Sequence, residues 1–75
     1  MKVEMLKVTP QATEILYECS GEHATNAWRS YRRVLCDMCD VNPNWRVCTG
    51  AYSITLYDVS KPDTFIISYQ IHIID

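Results

Sequence analysis

Between Ala24 and Met38 the apolar residues Ala24, Ala27, Trp28, Tyr31, Val34, Leu35 and Met38 return every three or four positions, the spacing that lines one side of an α-helix. Arg29, Arg32, Arg33 and Cys36 fall on the opposite side. A helix from about Glu22 or Thr25 to about Asp40 is therefore expected. Val41-Asn42-Pro43-Asn44 is its exit turn, because proline cannot continue a helix and disfavours α geometry in the residue before it. Near the end of the chain the period changes. Phe65, Ile67, Tyr69, Ile71 and Ile73 alternate with Ser68, Gln70 and His72, the two-residue repeat of a β-strand, with Ile66 and Ile74 at the ends of the second face.

The remaining elements follow from the same two periods. Arg46 to Tyr57 and Thr64 to Ile74 read as two strands joined by the turn-rich Asp58-Val59-Ser60-Lys61-Pro62-Asp63. A register that sets Leu56 against Phe65, Ile54 against Ile67, Tyr52 against Tyr69 and Cys48 against Ile73 makes one continuous apolar face. Lys2 to Val8 reads as a short strand. Thr9-Pro10 has the form of a helix start, a hydroxyl cap followed by proline at the first position. Ala12, Ile15, Leu16 and Cys19 recur at helical spacing, and Ser20-Gly21 reads as that helix's end. The expected architecture is an α+β single domain of order β-α-α-β-β, an antiparallel three-stranded sheet with two helices packed on one face.

Composition narrows the class. Apolar residues make up 48% of 75 residues and glycine is nearly absent, which predicts a globular chain with room for one core. Charges in Met1-Lys2-Val3-Glu4, where an apolar run should begin, predict no signal peptide, and no apolar run is long enough to span a bilayer. The expected compartment is the reducing cytosol. A net charge of −2, from seven basic and nine acidic side chains, does not favour sequence-independent nucleic-acid binding. Enzyme signatures are missing: no glycine-rich phosphate loop, nucleophile elbow or paired His–carboxylate motif occurs, so no catalysis is expected.

Over Met1 to Pro10 the chain resembles the opening of flavin-dependent thymidylate synthases. That family's Arg-His-Arg signature is absent here, and the resemblance implies neither a flavin site nor the family's activity.

Three of the four cysteines lie between Cys36 and Cys48. Cys36-x2-Cys39 lets one turn present two sulfurs to a zinc ion, Cys48 is a natural third ligand, and His72 approaches Cys48 across the expected hairpin, more closely if a bulge forms at Gly50. A structural zinc on Cys36, Cys39, Cys48 and His72 is thus one expectation, with Cys19 or His23 as substitutes. His23 is separated from Cys36 by about 20 Å along a continuous helix, so those two cannot share an ion unless the helix breaks. The alternative makes Cys19 and Cys39 small buried hydrophobes and Cys36 a surface thiol. A redox pair is disfavoured, because the two sulfurs sit at a helix end rather than at its start.

Arg29, Arg32 and Arg33 form a basic stripe, with Arg46 nearby; the alternative is a solvated face paired with Asp37 and Glu22. Trp45 lies in a polar turn, and Trp and Arg are common interface anchors. The leading expectation is a small cytosolic protein-interaction module that binds, and by binding inhibits, a larger protein partner through Arg29, Arg32, Arg33, Trp45 and Arg46. Size and composition match small phage- or mobile-element-encoded inhibitors, anti-CRISPR proteins among them. The alternative is a zinc-dependent nucleic-acid-binding domain using Arg29, Arg32 and Arg33. The final strand, expected at a sheet edge, could also pair two copies as a homodimer.

Overall fold

The computed structural model describes residues 1–74. Its elements are β1 (Lys2–Val8), β2 (Thr13–Ser20), α1 (Gly21–Asp40), β3 (Trp45–Thr49), β4 (Ser53–Asp58) and β5 (Ile67–Ile73). The strands form one sheet of order β2-β1-β5-β4-β3, with every neighbouring pair antiparallel. The chain is α+β, but it has five strands and one helix where three strands and two helices were expected.

The largest correction falls on residues 13–20, a strand and not a helix. Thr9 and Ala12 close a hairpin by mutual backbone hydrogen bonds of 2.8 and 3.3 Å, so Thr9-Pro10 starts a turn. Ser20 is the cap of the helix that follows: its side chain accepts a hydrogen bond from the His23 amide at 3.1 Å. What hid the strand is a bulge. Met5 pairs with Tyr17 but Leu6 pairs with Ile15, so Leu16 is the extra residue. The bulge breaks the two-residue alternation and leaves Ile15, Leu16 and Cys19 at helix-like spacing.

Residues 46–57 are likewise two strands. Gly50 donates to the Ser53 carbonyl at 2.8 Å and turns the chain back through Ala51-Tyr52. In the β4–β5 register Leu56 meets Ile67 and Ile54 meets Tyr69, two positions beyond the expected partners along β5. A shift of two keeps every side chain on its face, so the expected apolar face survives the wrong register. Cys48 pairs with Thr55 instead of Ile73. The C-terminal strand β5 is central, between β1 and β4, so it offers no free edge for the expected homodimer. The edges are β2, carrying Glu14, Glu18 and the bulge, and the five-residue β3; both are blunted against strand addition.

The helix connects one edge of the sheet to the other. Twenty residues give about 30 Å of helix, against about 19 Å across five strands, so α1 crosses the face obliquely. Toward its start, Ala24 packs with Val3 and Met5; toward its end, Leu35 packs with Ile54 and Leu56. Trp28 and Tyr31 touch both clusters. The Tyr31 ring stacks on Tyr69 at 4.3 Å, and its hydroxyl lies 3.2 Å from that of Tyr17. Among the described residues no helix is long and apolar enough to cross a membrane.

Candidate functional site

Once the inner face of α1 is committed to the sheet, helical geometry fixes what the outer face must carry. Glu22, Arg29, Arg33, Cys36 and Asp40 follow one another at intervals of seven, four, three and four residues, which places them on one line along the helix. Arg32 flanks that line between Arg29 and Cys36. Arg29, Arg32, Arg33 and Cys36, at i, i+3, i+4 and i+7, enclose a shallow depression of about 210 Å³, and all four are exposed. Among the described residues none of the three guanidinium groups has an ion-pair or hydrogen-bond partner. The expected pairing of Arg33 with Asp37 and of the stripe with Glu22 is not formed among the described residues, where Lys2 and Glu18 make an ion pair at 3.8 Å on the sheet.

A second depression of about 350 Å³ adjoins the first and shares Cys36 with it. Cys36, Cys39, Asp40, Trp45, Arg46 and Val47 line it, between the last turns of α1 and the start of β3. The corner is built by local bonds. The Asn42 side chain donates to the Met38 carbonyl at 2.8 Å and ends the helix, and the Trp45 amide donates to the Asn42 carbonyl at 3.0 Å. Arg46 Nη1 donates to the carbonyls of Pro43 at 2.7 Å and Trp45 at 2.8 Å, which holds an exposed guanidinium at the mouth of the groove. Trp45 is half-buried and packs on the Leu35, Ile54 and Leu56 cluster, so it is a core residue as much as a surface one. Burial, then the neighbouring Cys36, pushes the Cys39 thiol up, against the pull of Arg46. All four arginines of the chain, Arg29, Arg32, Arg33 and Arg46, border these two joined depressions.

The zinc ligands expected from spacing do not converge. Cys36 and Cys39 are one turn apart on α1, while Cys48 and His72 alternate onto the sheet face turned away from the helix. Cys48 pairs with Thr55, which pairs with Ser68; His72 lies four residues further along β5, about 13 Å away, where it bonds Gln70 at 3.3 Å. The substitutes are no closer. Cys19 packs at the opposite end of the sheet with Val3, Met5 and Ala24, and His23 sits in the first helical turn with its ring edge-on to Tyr17. Among the described residues no group of three or more His, Cys, Asp or Glu side chains is placed to hold a metal ion, and all four cysteines are free thiols.

One feature was not read from sequence. An apolar hollow of about 190 Å³ opens between the first turns of α1 and the β3–β4 hairpin, walled by Met1, Ala24, Trp28, Tyr52, Ile71 and Ile73. Its signal in the sequence is Gly50-Ala51-Tyr52, which turns the chain where the apolar pattern alone continues as strand. Set beside known proteins, the chain matches no family model, no curated protein and no solved structure.

Proposed function

We propose that this chain is a protein-interaction module, acting by binding and by binding blocking a larger protein partner, and not by catalysis. The contact surface is the outer face of α1 together with the start of β3. One observation carries the reading: every arginine of a chain with net charge −2 is gathered on this surface, and the three on α1 have no partner among the described residues. Guanidinium groups left unpaired keep their full capacity for bidentate bonds to carboxylates, and the adjoining groove offers the edge of Trp45 beside them. A cytosolic setting suits four unbridged thiols. By size and composition the chain resembles small inhibitors encoded by phages and mobile elements, anti-CRISPR proteins among them. A zinc staple is not part of this reading, since Cys36, Cys39, Cys48 and His72 lie apart.

The test is site-specific photo-crosslinking in cells that produce the protein. The crosslinker replaces Asn26 on the outer face of α1 or, as control, Ala12 in the first hairpin turn; both positions are exposed. A discrete adduct heavier than the chain, formed from position 26 and not from 12, is expected. No adduct at 26, or the same adducts at both positions, contradicts the reading.

A further inference from the structure

Along its own helix the arginine depression has acidic side chains on both sides, and that limits the anion it can take; toward Asp40 it adjoins the second depression, which Arg46 borders. The line Glu22, Asn26, Arg29, Arg33, Cys36, Asp40 runs from negative through positive to negative. Glu22 and Asp40 are about 27 Å apart along the axis, while the three arginines span only about 6 Å of it. Asp37, one turn beyond Arg33 and exposed, adds a further negative charge on the Asp40 side. A nucleic-acid strand laid along the helix, with its regular chain of phosphates, would pass from the three arginines to Glu22 in one direction and in the other to Asp37 and Asp40, where Arg46 is a single cation beside two carboxylates. A compact acidic cluster would not.

Resting on the reading of this surface as a protein contact, we infer that the hole formed by Arg29, Arg32, Arg33 and Cys36 receives one short acidic cluster of the partner protein, two or three adjacent Asp or Glu side chains. The four residues stand at the i, i+3, i+4 and i+7 positions that accept an inserted side chain from a facing element. Three forked cations around one such hole suit adjacent carboxylates, which take guanidinium groups two bonds at a time. Glu22, Asp37 and Asp40 then act as a fence: they admit a compact anion and repel an extended one, which is specificity by repulsion.

The experiment titrates the full chain, isotope-labelled for NMR, with three probes: a peptide of three consecutive glutamates in a Gly/Ser context, an oligothymidine of equal formal charge, and inorganic phosphate. The arginine Nε–H and α1 amide signals are followed. The peptide is expected to shift the signals of Arg29, Arg32 and Arg33 saturably, and about tenfold more tightly than the oligothymidine. R32E should abolish this, R32Q should weaken it, and the sheet amides should report an intact fold in both. Oligothymidine binding as tight as the peptide, phosphate alone reproducing the peptide's affinity, or peptide shifts unchanged in R32E each overturn the inference. The same peptide is added to the crosslinking at position 26, repeated in lysate of the producing cells so that the peptide reaches the protein. An adduct that forms but resists both peptide and R32E overturns the acidic-cluster inference while the partner reading stands; peptide binding with no adduct overturns the partner reading.

Discussion

Along its inner side α1 presents Ala24, Trp28, Tyr31, Leu35 and Met38 to the sheet, and each is buried or packed on buried neighbours. Along its outer side Arg29, Arg32, Arg33 and Cys36 are exposed, and the three guanidinium groups lack partners among the described residues. The two faces belong to the same five turns of helix yet answer to different energetics. Inner residues are fixed by apolar area removed from water, which is worth about 25 cal/mol per Å² and makes the fold. Outer residues are exposed and bury little apolar area, so the same term does not fix them. The difference teaches where to look: substitutions that act on stability and substitutions that act on binding should separate by helical face.

The largest effect should come from Leu35→Ala, which empties the fully buried contact with Ile54 and Leu56. A loss of about 2–5 kcal/mol is expected in urea unfolding, a large share of the roughly 4–11 kcal/mol that a domain this size holds. Trp45→Ala sits across the divide. Because Trp45 packs on that cluster while edging the groove, it should lower both stability and binding, with a stability loss below the about 3–5 kcal/mol of a fully buried Trp. It is therefore a poor probe of the surface alone.

Tyr31→Phe keeps the stack on Tyr69 and removes the hydroxyl contact with Tyr17, at an expected cost of about 0.5–1.5 kcal/mol. The pH dependence sharpens it. The hydrogen bond with Tyr31 foremost, then burial, pushes Tyr17 up to about 12, and burial raises Tyr69 as well. A raised folded-state value means that the folded chain holds the proton more tightly. The stabilisation is present in full below the unfolded value of about 10 and is lost as pH climbs toward about 12. Thermal scans should show the melting temperature falling across that window, and falling less steeply in the Phe variant. A wild-type curve flat across it would remove the hydroxyl contact from the account.

On the outer face, Arg32→Glu should move the unfolding free energy by no more than about 0.5 kcal/mol. The smallest effect is a ranking of thiols. Exposed Cys36 and Cys48 should label first with a disulfide reagent, and half-buried Cys39, its thiol pushed up, should lag and gain most as pH rises. Mass mapping of partly labelled protein would show it, and Cys39 labelling as fast as Cys36 would contradict its placement.

How much was legible follows from which periods survived. The helix could be read because Ala24, Trp28, Tyr31, Leu35 and Met38 keep a 3.6-residue rhythm without interruption; Val34, counted with them, proves half-exposed at the margin of the stripe. The arginine face was legible for the same reason, as the complement of that stripe. Its lack of partners was not, since spacing permits Arg33 to reach Asp37 but does not make it do so. Strand β2 was hidden by the bulge at Leu16, and Ser20, a cap that opens the helix, was taken with Gly21 for one that closes an earlier helix. The cysteines misled through topology. Cys48 and His72 are brought near only if one hairpin joins their strands, and β4 intervenes.

The most direct test pairs two readings on one protein, the R29Q/R32Q/R33Q variant with the crosslinker at position 26, glutamine removing the charges without adding like-charge pairs to the helix. An unfolding midpoint close to wild type with the adduct lost is the result that the proposed division predicts, in which the outer face is the contact surface and the inner face holds the fold. An adduct that persists, or a midpoint that collapses along with it, would contradict the division of the helix into a face that folds and a face that binds.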